Sequence, residues 1–201
     1  NMVMKPNRLK ELLKQGRVAV GIESFTNHAG LVEIMGWTGF DFVFIDTEHA
    51  PTDVGATEVT IRAADVTGMT ALVRVYENNA ALIGKALDNG AQGVIIPQIS
   101  SVADAEKAVQ AAKYPPLGKR GSCPFTRSAY FGLVPFKENC QRANDETLVI
   151  LLVEGEEGIK NIPGMLKVKG VDIIFFGPMD FGQSIGLPGE SFEHPSLFAA
   201  L

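Results

Sequence analysis

The chain has 201 residues, 46% hydrophobic and 20% charged, which is the balance of a folded protein with a full core. Its net charge of −5 and isoelectric point near 5.2 argue against nucleic-acid binding, because no basic run is present to neutralise phosphates. No apolar segment approaches the roughly 18 residues that span a bilayer, and the first residues lack the apolar core of a signal peptide. We therefore expect a cytoplasmic protein with no membrane contact that acts on small molecules.

Short apolar runs alternate with segments of helical periodicity along the chain. The predicted strands cover residues 18–22, 42–45, 71–75, 94–97, 148–154 and 171–177. The predicted helices cover residues 8–16, 29–35, 54–66, 80–89, 101–113, 134–144 and 157–167, and one more begins in 195–201. Residues 178–186 are expected to form a loop or a short helix. Repeated strand-then-helix units predict a parallel α/β fold, either an open doubly wound sheet or a barrel.

One long segment, residues 114–130, interrupts this alternation. It contains Pro115, Pro116, Gly118 and Gly121, and a long loop rich in such residues is typical of a functional flap. No low-complexity tract or linker divides the chain, so we expect a single domain over residues 1–201.

The ends of the predicted strands favour the barrel over the open sheet. A doubly wound nucleotide-binding sheet has a glycine-rich turn after its first strand, and Gly21-Ile22-Glu23-Ser24-Phe25 is not one. In a barrel, catalytic residues gather where strands end, and several predicted strands here end in charge. A full barrel needs about 250 residues. We therefore expect a (β/α)8 TIM barrel whose last two strand-helix units are absent from the given sequence.

Polar groups follow two of the central strands. The apolar run 42–45 ends directly in Asp46, with Glu48 and His49 behind it, and Asp46 could orient His49 as a general base. Arg74 lies inside the apolar run 71–75, where an unpaired guanidinium would be costly. Its fixed fork of donors suits a carboxylate or a polarised carbonyl, so a keto-acid substrate is one explanation and a structural ion pair is the other.

Two carboxylates follow the last two predicted strands. Glu154 ends the run 148–153, and Asp180 comes shortly after the run 171–177. The chain has too few histidines for a zinc cage, so this pair suits a hard octahedral cation, Mg²⁺ or Mn²⁺. The alternative is that Glu154 is a helix N-terminal acid and Asp180 a helix cap. Gly177 and the amides after it would suit an anion such as a carboxylate.

Five ordered segments give the chain a specific resemblance. They are Phe-Asp-Phe-Val-Phe-Ile-Asp-Thr-Glu-His-Ala-Pro at 40–51, Leu-Val-Arg-Val at 72–75, Gly-Ala-Gln-Gly-Val-Ile-Ile-Pro-Gln at 90–98, Lys-Tyr-Pro-Pro-Leu-Gly-Lys-Arg-Gly at 113–121 and Phe-Phe-Gly-Pro-Met-Asp-Phe at 175–181. In these the chain resembles the HpcH/HpaI aldolases, the metal-dependent 4-hydroxy-2-oxo-acid aldolases of the phosphoenolpyruvate/pyruvate barrel superfamily.

The resemblance implies a lyase that cleaves a 4-hydroxy-2-oxo acid into pyruvate and an aldehyde with a divalent cation, Mg²⁺ or Mn²⁺, with Co²⁺ as a further candidate. It implies a homohexamer built as a trimer of dimers. The residues that match the family's roles are Glu154 and Asp180 for the metal, His49 with Asp46 for the base, Arg74 for the keto oxygen, and Gly177, Met179 and Asp180 for the pyruvate carboxylate.

Two departures from the family pattern leave other functions open. Leu152 stands where the family often has Gln, and Met179 where it often has Ala, which favours a keto-acid-binding barrel without catalysis as one alternative. A lyase of the citrate-lyase-β type, acting on a coenzyme A thioester held by the loop 119–122, is another.

Overall fold

The computed structural model describes residues 6–26, 28–189, 194 and 195. The strands are β1 (Gly21–Ser24), β2 (Phe42–Asp46), β3 (Thr70–Arg74), β4 (Gly93–Ile96), β5 (Leu148–Val153) and β6 (Ile173–Phe176). The helices are α1 (Arg8–Lys14), α2 (Ala29–Trp37), α3 (Val54–Thr67), α4 (Ala80–Asp88), α5 (Val102–Ala112), α6 (Phe136–Glu146), α7 (Glu156–Met165) and α8 (Pro178–Ser184), with a 3-10 helix at Arg127–Gly132.

The six strands form one parallel sheet in the order β1-β2-β3-β4-β5-β6. Each strand pairs with the next along the chain, which is the order of a barrel and not of a doubly wound sheet, whose order reverses. The sheet curls into part of a barrel, so the α/β prediction is confirmed. The eight-stranded barrel and its two further units stay a prediction.

The two faces of the sheet carry different apolar layers. Residues paired in register point to the same face, as Phe44 with Leu72 and Ile95 with Ile150. The concave face carries Phe44, Leu72, Ile95, Leu148, Ile150 and Leu152, and the convex face packs a larger cluster against the helices. Leu9 of α1, 2% exposed, joins the inner cluster, so α1 covers the amino ends of the strands.

Most predicted elements lie within two residues of the observed ones, and the first strand shows the largest shift. The prediction of 18–22 was wrong, since β1 runs from Gly21 to Ser24 and pairs with β2 from Gly21 onward. Val18 and Val20 are 87% and 55% exposed and precede the sheet. The helix predicted in 195–201 lies outside the described residues except for Pro195.

The long loop at 114–130 lies at the amino ends of the strands. It follows α5, and Arg127 donates to the carbonyl oxygen of Asn89, just past the end of α4. The role of this loop as a functional flap stays a prediction. Arg120 is 6% exposed, donates to Asp88 at 2.7 Å and stacks over the Tyr114 ring, so it is not presented to a coenzyme A phosphate.

A membrane-crossing helix is not found among the residues that the structure describes.

Candidate active site

The register of β2 and β3 brings Asp46 and Arg74 together at the carboxyl end of the sheet. They are paired residues in the parallel ladder and both end their strands. Arg74 Nε donates to Asp46 Oδ1 at 2.9 Å and Nη2 donates to Asp46 Oδ2 at 2.8 Å, a bidentate pair. Asp46 is 0% exposed, and its carboxylate also accepts from the backbone amides of Glu48 and His49. The pair is thus a rigid, buried centre to which the other groups attach.

Two further carboxylates contact the same guanidinium. Glu23 Oε1, from β1, accepts from Arg74 Nη2 at 3.2 Å, and Glu48 Oε2 lies 3.3 Å from Arg74 Nε. The side chain of Arg74 is 12% exposed, so these contacts surround a largely buried cation. Glu23 was missed because the first strand was predicted to end at residue 22. The pairing of β1 with β2 identifies Glu23 as a site residue, because it places Glu23 opposite Phe44 on the concave face.

The surroundings of these acids move their pKa values in different directions. Burial raises the pKa of Glu23 and of Glu48 above the ordinary range, and the charge of Arg74 opposes the rise. Burial acts to raise the pKa of Asp46 as well, but hydrogen bonds from Arg74 and from the amides of Glu48 and His49 outweigh it and hold that pKa below the ordinary range. Of the three acids, Asp46 is thus the one whose surroundings favour the ionised form.

The predicted base, His49, lies at the open side of this centre. Its side chain is 61% exposed, and its Nε2 lies 3.8 Å from Glu48 Oε2. Its backbone amide donates to both oxygens of Asp46 at 3.3 Å. The structure thus brings His49, Asp46 and Glu48 together, and the role of His49 as a base stays a prediction. The other histidine of the described strand ends, His28, caps α2 by accepting from the amide of Leu31.

The predicted metal ligands follow adjacent strands. Glu154 comes directly after β5, Asp180 lies in the first turn of α8 after β6, and β5 pairs with β6. Glu154 Oε1 accepts from the backbone amide of Gln98 at 2.8 Å, and Gln98 adopts a left-handed φ of 57° to present it. No feature of the sequence indicated this contact. Burial raises the pKa of Glu154, and the nearby charges of Asp180 and Glu48 add to the rise.

The chemistry of these donors fits a divalent cation. Burial is the main cause of the raised pKa of Glu154, and the negative charges of Asp180 and Glu48 add to it, so a cation between the carboxylates would relieve their repulsion. A Cβ at Gly177 would lie 2.9 Å from Glu154 Oε2, so the glycine leaves room beside this oxygen. Within the described ranges, no three His, Cys, Asp or Glu side chains form a metal cage. A cation held by Glu154 and Asp180 would therefore take its other oxygen ligands from water or substrate.

The two departures from the family pattern lie on either side of this pair. Leu152 is 2% exposed and belongs to the inner apolar cluster, one position below Glu154 on the concave face. Met179 is 50% exposed at the start of α8, between Gly177 and Asp180. The surface beneath the carboxylates is therefore apolar at Leu152, and the thioether of Met179 lies at the solvent-exposed side of the site.

A partial parallel barrel with its ionisable groups at the carboxyl ends of the strands is the architecture of a barrel enzyme. The chain belongs to the HpcH/HpaI aldolase/citrate lyase family, whose sequence profile matches residues 23–201. A hydroxypyruvate/pyruvate aldolase from Sagittula stellata is 35% identical over 200 residues, which are 100% of this chain and 78% of that protein. A 4-hydroxy-2-oxo-heptane-1,7-dioate aldolase from Shigella flexneri is 34% identical over 97% of this chain and 72% of that protein.

A solved structure of the same family agrees in its fold. The HpcH/HpaI aldolase/citrate lyase family protein from Burkholderia cenocepacia J2315 superposes with a TM-score of 0.90 at 31% identity, over 96% of this chain and 77% of that one. Together with the named aldolases, the family identifies this chain as a carbon–carbon lyase. The predicted family is confirmed, and the alternative of a barrel without catalysis is not supported.

Proposed function

We propose that the chain reversibly cleaves a 4-hydroxy-2-oxo acid into pyruvate and an aldehyde, as a class II aldolase. The observation that carries this proposal is the convergence of the Glu154 and Asp180 pair with the Arg74–Asp46 centre at one edge of the sheet. The relatives named as pyruvate and hydroxy-oxo-acid aldolases support the same reaction class.

Glu154 and Asp180 would hold a divalent cation, Mg²⁺ or Mn²⁺, which when bound supplies Lewis-acid polarisation of the 2-keto oxygen. Arg74 would donate to the same oxygen through Nη1, the guanidinium nitrogen that takes no part in the bonds to Asp46 and Glu23. Asp46 keeps the guanidinium plane fixed by its bidentate contact, so the donor is in place before substrate arrives.

His49 would move the proton in this reaction. In the cleavage direction it accepts the proton of the 4-hydroxyl, the C3–C4 bond breaks to release the aldehyde, and the bonding electron pair stays on the pyruvate fragment. A proton from solvent then adds to C3 to give pyruvate, and His49 releases to solvent the proton that it accepted. The exposed ring, 61% accessible, lies where an aldehyde would enter. The amides at the start of α8, including those of Met179 and Asp180, would receive the pyruvate carboxylate.

The test is deuterium exchange into the methyl group of pyruvate, with and without Mn²⁺. Glu154→Gln and Asp180→Asn should each lower the exchange rate by ~100-fold or more, because each removes half of the protein ligands. Calorimetric titration with Mn²⁺ should show the same loss of affinity. Glu157→Gln, an exposed acid of α7, is the matched control and should exchange at the wild-type rate. Unchanged Mn²⁺ affinity in both ligand variants would remove the proposed site.

A lyase of the citrate-lyase-β type would instead require coenzyme A for cleavage, and the ion pair of Arg120 with Asp88 gives that alternative no support. The single domain over residues 1–201, the homohexamer and the cytoplasmic location stay predictions.

A further inference from the structure

The charged side chains at the carboxyl end of the sheet are nearly all acidic. Six segments connect the described strands to the helices that follow, at 25–28, 47–53, 75–79, 97–101, 154–155 and 177, and none contains a lysine or an arginine. They contain four acids, Glu48, Asp53, Glu77 and Glu154. The strand ends add Glu23 and Asp46 against one cation, Arg74. Basic side chains are thus scarce where an aldehyde would enter.

The one arginine is already engaged by acids. Its Nε donates to Asp46 and lies 3.3 Å from Glu48, and its Nη2 is shared between Asp46 and Glu23 at 2.8 and 3.2 Å. Three carboxylates carry more negative charge than one guanidinium can balance. Arg74 therefore attracts a further anion only weakly. One keto acid anion can be held by the proposed cation, but a second carboxylate on the aldehyde would meet His49 and these acids, with no lysine or arginine in the six segments that follow the described strands.

We propose that Glu23 makes this site selective for aldehydes without a negative charge. Glu23 is suited to this role because it lies one residue before the end of β1 and contacts the guanidinium through one oxygen, Oε1, whereas Asp46 is held through both of its oxygens. It points to the concave face from β1, beside Arg74. An aldehyde carrying a carboxylate would approach this charge in a partly water-excluded cleft, where like charges repel more strongly than in water.

This inference rests on the proposed aldolase function, and a matched pair of aldehydes tests it. Succinic semialdehyde carries a carboxylate, and its methyl ester has the same chain without the charge. Wild-type protein should condense the ester with pyruvate with a kcat/KM about 10-fold higher than the acid, because one unit charge within about 8 Å has an effect of that order. Glu23→Gln should remove most of this difference, and Glu23→Asp, which keeps the charge, should retain it.

Glu77→Gln is the control, because Glu77 is an exposed acid at the same end of the sheet, in the segment after β3. It should leave the ratio of the two kcat/KM values within about twofold of wild type. A second measurement needs no variant: raising NaCl from about 0.05 to 0.5 M should narrow the wild-type preference, since salt screens the repulsion.

Deuterium exchange into pyruvate, measured in the same samples, distinguishes failure of the proposed selectivity from failure of the proposed aldolase function. Wild-type protein that exchanges pyruvate but shows neither a preference for the ester nor a salt dependence overturns the selectivity alone. Equal ratios in wild type and Glu23→Gln, with exchange intact, do the same. Wild-type protein that neither exchanges pyruvate nor condenses either aldehyde overturns the proposed function and this inference with it.

Discussion

The two ends of the sheet both bury a cation, but they surround it differently. At the carboxyl end, Arg74 is enclosed by Asp46, Glu23 and Glu48. At the amino end, Lys113 is 2% exposed, and its Nζ donates to the carbonyl oxygens of Asn144 and Thr147 at 2.8 and 2.6 Å.

This difference distinguishes the functional end of the sheet from the end that only supports the fold. The contacts of Lys113 are mostly to neutral carbonyl groups, with the nearest carboxylate, Asp172, 4.0 Å away. They join α5 to the end of α6 and the start of β5. The carboxyl end instead has more negative charge than its own arginine compensates, which costs folding energy but suits a bound cation. An excess of like charge therefore marks the functional end, while buried charge alone does not.

The largest effect should come from breaking the carboxyl-end centre. Arg74→Met removes both guanidinium hydrogen bonds to the fully buried Asp46, and we expect a loss of about 3–5 kcal/mol in the free energy of unfolding. Urea unfolding followed by circular dichroism measures it. Arg62→Met, which breaks the exposed pair with Glu58 on α3, is the control and should cost under about 1 kcal/mol.

Arg74→Lys sharpens this test because it keeps the charge. An ammonium cannot reproduce the bidentate contact, so most turnover should be lost even where the variant is folded. Near wild-type kcat in Arg74→Lys would show that Arg74 serves only the fold.

The amino end should respond to pH instead. Burial lowers the pKa of Lys113 from 10.5 to about 8. Between these values the unfolded chain holds the proton and the folded chain does not, so stability rises with pH across this window. Relative to Lys113→Met, wild-type protein should gain about 2 kcal/mol between pH 7.5 and 9.5. The exposed Lys107→Met should follow wild type at both pH values, and parallel curves for wild type and Lys113→Met would contradict the assignment.

The smallest expected effect concerns the space beside the proposed metal ligand. In Gly177→Ala the new Cβ would lie 2.9 Å from Glu154 Oε2 and 3.1 Å from Leu152 Cδ1, so the carboxylate must move by a few tenths of an ångström. We expect Mn²⁺ affinity to fall about 10-fold in calorimetric titration, because ligand position sets affinity. Gly155→Ala places its Cβ in open space and should bind as wild type does. Equal affinity in both variants would mean that Glu154 does not hold the cation.

The misplaced first strand shows where prediction from sequence reached its limit. Val18 and Val20 alternate with other residues as strand residues do, yet both are exposed, and the ladder begins at Gly21. The alternating pattern reports which residues are apolar and not which of them find a neighbouring strand. That shift of the predicted boundary left Glu23 outside the strand and hid the third acid of the Arg74 centre.

Local pattern was sufficient for a large part of the protein. The alternation of strand and helix and the charged strand ends were both predicted from sequence, because each depends on neighbours a few residues apart. The tertiary structure alone decided which charges meet. Arg74 finds Asp46 28 residues away and Glu23 51 residues away, through the register of three strands. Partners at such separations are set by how the strands align in the sheet, and that alignment is fixed by packing between whole strands rather than by the few residues around each charge.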